Sequence, residues 1–183
     1  GLAYHVSKWQ AEQEVSAQVQ RGLSATVVNP ASVFGPYGSG YRGGDMMRKV
    51  SRGRFIVPYF TGGICAVHVH DVVAGIMVAL ESGQTGERDI LGGENLTYRA
   101  LAERAAVRMH LRRRFVPLPP AVTGLAAMIL EPIGRLRHRR PQVTYAAHYL
   151  ANRFHFYDSG KARTTLGYQP RDFDSILDEY VRT

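Results

Sequence analysis

The stretch "ICAVHVHDVVAGIMVALESGQTGERDIL", residues 64–91, constrains the fold more than any other part of the chain. A short β-branched run, Cys65 to Val69, passes directly into the helical stretch "VVAGIMVALES", for which Asp71 is the candidate N-cap and Gly83 the stop. A second short strand, "RDIL", follows. A strand, a helix and a strand at this spacing leave no room for a hairpin, so the two strands run parallel with the helix as crossover.

The same alternation holds elsewhere. A helical pattern covers Tyr4 to Arg21, and Gly22 follows as its C-cap. "SATVVNP" reads as a buried strand that Pro30 ends. Asp45 can cap "MMRKVSR", and Thr97 can cap "YRALAERAAVRM". "FIVPYF" and "RFVPL" read as strands, and Gly167 closes the element before it. The order predicts an α/β fold with a largely parallel sheet.

The 183 residues suffice for one compact domain or for a large part of a bigger one. A single cysteine, Cys65, excludes disulfide stapling and a multi-cysteine metal site, and fits a reducing compartment. Residues 1–20 hold Lys8, Glu12 and Glu14 with no continuous apolar core, unlike a signal peptide. The longest uncharged run, Phe115 to Leu130, is shorter than a membrane span and is broken by Pro119-Pro120. It reads as a strand leading into a buried helix, in preference to an interfacial anchor. The net charge of +8 gathers in "HLRRR" (110–114) and "RLRHRR" (135–140). With no aromatic interleaving, these clusters read as solvated helix ends, and nucleic acid is not the expected partner.

The chemistry-bearing feature is "YHVSK", Tyr4 to Lys8. Residues four apart on a helix stand one turn apart, about 5–6 Å between Cβ atoms. A phenol titrates near 10, and a neighbouring ammonium favours its ionised form, which makes general acid/base work accessible near neutrality. The ammonium also offers three donors to hydroxyl groups such as those of a ribose. Taken alone, the pair is more simply a packing tyrosine and a surface lysine.

Four segments in order change that balance. "YHVSK", "VVNPASVFGP", "VHVHDVVAGIMVALESGQTGERDILGGENLTYRALAERAA" and "DSGKARTTLGYQP" together resemble the extended short-chain dehydrogenases/reductases, the NAD-dependent epimerase/dehydratase family. Within it they are most similar to the dihydroflavonol-4-reductase-like proteins and hopanoid-associated sugar epimerases. The likeness covers nearly the whole chain. It implies the C-terminal part of a doubly wound Rossmann-type parallel sheet plus a smaller, mostly helical substrate-side subdomain. Residues 1–33 and about 64–95 would belong to the core, and about 34–63 and 96–183 mainly to the substrate side.

The resemblance implies that Tyr4 is the catalytic proton donor and acceptor, and that Lys8 activates it and binds the nicotinamide ribose. It places the backbone of Pro30, Ala31, Ser32 and Val33 against the carboxamide, although a proline there is equally a plain strand terminator. Phe34, Tyr37, Tyr59, Phe60 and His68 would border the substrate. His68, inside an apolar strand, is more often a core histidine, and Asp71 more often a cap than a ligand. The implied cofactor is NAD(P), with NADP favoured and no metal. The implied partners are a small-molecule substrate and a second copy docked through the Tyr4–Lys8 helix, in the cytoplasm.

Two departures refine this expectation. Nucleotide-sugar epimerases of the branch carry "RDYIHV" where this chain has "ICAVHV". Ile64 thus stands where a diphosphate-binding arginine is usual, and an apolar side chain cannot replace a bidentate phosphate ligand. A smaller or more apolar carbonyl substrate is favoured, reductase ahead of epimerase. The glycine fingerprint of the first βα turn is also missing, since "GSGYRGG" lacks a preceding strand. The expectation is therefore a fragment of a longer enzyme that binds dinucleotide poorly by itself. A non-catalytic cofactor-sensing relative is the competing reading, against which the retained phenol speaks.

Overall fold

The computed structural model describes residues 2–35, 50–51, 56–136 and 144–182. The expected Asp45 cap, Tyr37 and all but Val50 and Ser51 of the helix expected after Asp45 lie outside the described residues. The chain divides into two compact units, the first formed by 1–45, 65–95 and 157–183, the second by 46–64 and 96–156.

The first unit opens with α1 (Leu2–Gln20), closed by Gly22 in the left-handed region at φ 104°. The extended segment after it is divided at Ala31 into β1 (Val27–Pro30) and β2 (Ser32–Phe34). β1 pairs in parallel with β5 (Arg88–Leu91), Val27 facing Arg88. β2 pairs in parallel with β4 (Gly63–His68), Phe34 facing His68. The break falls where Pro30 has no N–H to give, while the Ala31 N–H still bonds Leu91 O at 3.1 Å. β4 leads straight into α2 (Val69–Ser82), which returns the chain to β5, as the 64–91 pattern requires.

Around this crossover Val67, Val72, Ala79, Leu91, Ala162, Leu166 and Tyr168 form a buried cluster, with Val28, Val33 and Ile76 packed against it. α2 sits close on β5 because Gly75 has no side chain. A Cβ there would lie 2.9 Å from both Leu91 methyls.

The last segment belongs to this unit, whereas the sequence grouped 96–183 mainly with the substrate side. Its helices are α6 (Gly160–Leu166), stopped by Gly167 at φ 63°, and α7 (Phe173–Arg182). Phe173, Ile176 and Leu177, at i, i+3 and i+4, are buried, and Tyr180 one turn on donates to Gly35 O at 2.7 Å. Phe173 meets Phe34 edge-on, with centroids 5.6 Å apart.

In the second unit β3 (Ile56–Tyr59) pairs in parallel with β7 (Arg114–Pro117). Their connection includes α3 (Tyr98–Arg108), which Thr97 caps by accepting from Ala100 N at 3.0 Å. "ENLT", to which the sequence alone assigned no strand, forms β6 (Glu94–Thr97), giving the sheet order β2-β4-β6. β8 (Phe154–His155) pairs with the start of β4. Finally α4 (Pro120–Leu136) packs against α5 (Tyr145–Ala151), Thr123 Oγ1 lying 2.8 Å from His148 Nδ1. α4 was expected to be buried, but it shows most of its aliphatic side chains to solvent.

Candidate active site

The Tyr4 and Lys8 side chains lie on the same side of α1, with Lys8 Nζ 5.8 Å from the centre of the Tyr4 ring. Tyr4 is 62% exposed and Lys8 is exposed. Among the described residues the Tyr4 hydroxyl and the Lys8 ammonium have no hydrogen-bond partner.

One turn further along the same face stands Glu12, which the motif alone does not reveal. Its carboxylate accepts from Asn29 Nδ2 at 2.8 Å and from Arg88 Nη1 at 3.0 Å. The Asn29 amide, and after it Arg88, hold this carboxyl below its ordinary range. The contact pins the Tyr4–Lys8–Glu12 face of the helix to the end of β1, one residue before Pro30. A spacing of i, i+4, i+8 was the available signal, but nothing local marks Asn29 and Arg88 as its partners.

Pro30 is exposed, and Ala31, Ser32 and Val33 are half-buried just beyond. Asn29 Oδ1, beside Pro30, is buried and has no hydrogen-bond partner among the described residues. The Tyr4 phenol and the Lys8 ammonium stand exposed on α1, the helix that Glu12 ties to the residue before Pro30.

The residues expected at the substrate divide. Phe34, 3% exposed and packed on Phe173, is a core side chain. Tyr59 and Phe60 are half-buried in the second unit, Phe60 edge-on to Tyr98 at 6.5 Å. Ile64 is half-buried on β4.

His68 is fully buried, and its two ring nitrogens are both engaged. Nδ1 accepts from His70 N at 3.1 Å, capping α2, so Nε2 carries the proton and donates to Glu179 at 2.8 Å. His68 therefore takes the cap position expected of Asp71. Asp71 is buried and instead accepts from Arg171 N (3.0 Å) and Arg171 Nε (2.9 Å), a hundred residues away in sequence. Arg171 also reaches Glu179 at 3.3 Å.

Ligand atoms of His68, His70 and Glu179 come within 4.8 Å of one another, the span of a metal site. The His68 tautomer argues against a cation, because Nε2 has a proton and no lone pair to offer, and Arg171 already supplies positive charge. The cluster is a latch that holds α7 to the start of α2. Cys65 is buried, and burial pushes its thiol up, away from nucleophilic use.

No family model matches the chain. "Sterol demethylase protein B" of Methylococcus capsulatus is 29% identical over 177 residues, 93% of this chain and 52% of that protein. A Synechocystis protein named "Putative dihydroflavonol 4-reductase" is 30% identical over 188 residues, 98% of this chain and 53% of its own. Among solved structures, PA4631, a nucleoside-diphosphate-sugar epimerase from Pseudomonas aeruginosa, superposes with a TM-score of 0.75 at 25% identity. That match covers 98% of this chain and 54% of the other. With the parallel α/β core and the Tyr-x-x-x-Lys helix, these likenesses make the chain similar to the extended short-chain dehydrogenases/reductases, the NAD-dependent epimerase/dehydratase family. The chain spans about half the length of the curated relatives it matches.

Proposed function

We propose that the protein containing this chain is an NAD(P)-dependent oxidoreductase acting on the carbonyl or alcohol of a small or apolar substrate. The observation that carries this reading is the Tyr4–Lys8 pair, set on one exposed face of α1 and anchored by Glu12 beside the open end of β1. The nicotinamide supplies hydride exchange with the substrate carbon. Tyr4 Oη gives a proton to the substrate oxygen in reduction and takes it back in oxidation. Lys8 stands beside the Tyr4 ring and donates to the ribose hydroxyls. The edge from Pro30 to Val33 orients the carboxamide. NADP is favoured over NAD as the cofactor.

Ile64 supports an apolar substrate, since no guanidinium stands at that position to grip a diphosphate. The names of the sterol and dihydroflavonol relatives agree with that choice. The likeness to a nucleoside-diphosphate-sugar epimerase favours a second reading, in which the same tyrosine serves sugar epimerisation. A homodimer through α1 is part of the proposal, supported by the exposure of Val6 and Trp9 on that helix.

The test is NADPH consumption by the intact protein over a panel of aldehydes and ketones, with UDP-sugars as the competing class. Tyr4→Phe should lower turnover on the preferred substrate by ~10²–10⁴-fold with an unchanged melt. Retained turnover would remove Tyr4 from the mechanism.

A further inference from the structure

The second unit carries a surface that the oxidoreductase reading leaves unused. α4 touches its neighbours through a narrow stripe: Thr123 and Ala127 are buried, Gly124 faces α5, and Glu131 accepts from Tyr145 N at 2.8 Å. A Cβ on Gly124 would stand 3.3 Å from His148 Nε2, so α5 is seated against this side. The large side chains point the other way. Val122, Leu125, Met128, Ile129, Leu130, Ile133 and Leu136 are all exposed, between 40% and 82%. At 100° per residue they span an arc of about 200°. A helix so apolar is ordinarily buried.

Charge indicates what covers it. From Arg104 to Tyr157 the sequence holds ten arginines and a single acidic residue, Glu131, a net +9 against +8 for the whole chain. Arg112, Arg113 and Arg114 precede α4, and the basic run of residues 135–140 ends and follows it, its residues 137–140 lying outside the described ones. Apolar side chains on one face and cationic flanks are the requirements of a helix lying in the plane of an anionic lipid surface. A single partner helix covers only a seam narrower than this arc. The sugar-phosphate backbone of a nucleic acid would satisfy the arginines and leave the aliphatic face in water. Among the described residues no helix is long and apolar enough to cross a membrane.

We propose that α4 is an interfacial helix that docks this protein on a bilayer containing anionic lipid, with its aliphatic arc in the acyl boundary and the basic character of the surrounding sequence drawing it to anionic headgroups. The proposal stands apart from the assignment of Tyr4, and soluble-substrate turnover does not enter its test.

The experiment is flotation of the intact protein with vesicles of phosphatidylcholine alone or of a phosphatidylcholine/phosphatidylglycerol mixture, over a salt series. Binding should require the anionic lipid and fall steeply with salt. The double variant L125S/I129S should weaken partitioning by about tenfold or more, with an unchanged circular-dichroism melt. Val107→Ser, at another exposed apolar residue on α3, should not. The proposal is overturned if anionic vesicles fail to float the protein at low salt, or if Val107→Ser costs as much as the α4 pair. It is also overturned if L125S/I129S dissolves a dimer seen in solution while flotation stays the same.

Discussion

α7 and α4 are both amphipathic helices near the end of their units, and they use apolar side chains in opposite ways. α7 turns Phe173, Ile176 and Leu177 inward and is fastened by Tyr180 on Gly35 and by the His68–Glu179–Arg171–Asp71 chain of hydrogen bonds. α4 turns threonine, glycine and alanine inward and leaves its leucines and isoleucines outside. The number of apolar residues in a helix does not decide where it points. What decides is whether another element offers a surface shaped for the large side chains or for the small ones.

Stability measurements can sharpen or break this contrast. Phe173→Ala removes a fully buried ring and its edge-on partner contact with Phe34, and should cost about 3–5 kcal/mol in a denaturant or thermal melt. A small cost would mean that α7 is not part of the cooperative core.

A second test concerns the polar tie that anchors α1. Glu12 is held below its ordinary 4.5 by Asn29 and then Arg88. The unfolded chain therefore binds the proton more readily than the folded one, and the stabilisation is present above the unfolded value and lost as pH falls through the folded one. The melting temperature should drop in acid below about pH 4.5. Glu12→Gln should flatten the part of that slope due to this group, and an unaltered slope would dissociate the tie from stability. The smallest effect belongs to α4: Leu125→Ala and Ile129→Ala, measured without lipid, should each stay within about 0.5 kcal/mol of the parent. Losses of several kcal/mol would show that the aliphatic arc is covered in solution.

The same contrast explains what could be read from the chain alone. The strand-helix-strand order of 64–91, the "RDIL" strand, the Thr97 cap and the Gly167 stop are local signals, and the structure keeps each of them. The Tyr4–Lys8 face follows from helical spacing alone. Asp71 looked like a cap because an aspartate before an apolar run usually is one. Its partner, Arg171, sits a hundred residues on, beyond the reach of any local pattern. His68 took the cap because its ring accepts from His70 N while its other nitrogen meets Glu179, a double use that only the folded chain displays. The placement of α6 and α7 in the first unit is equally non-local. α4 was expected inside because its residues are apolar, and periodicity cannot show that only its small-residue stripe has a partner.

The proposal rests on Tyr4 and Lys8 acting as one device, and a double-mutant cycle of Tyr4→Phe and Lys8→Met in the intact protein tests that most directly. With turnover measured at saturating NADPH, the double variant should be no slower than Tyr4→Phe alone, because Lys8 acts on proton transfer through the phenol. Losses that simply add, or a Tyr4→Phe protein that turns over normally, would contradict the account.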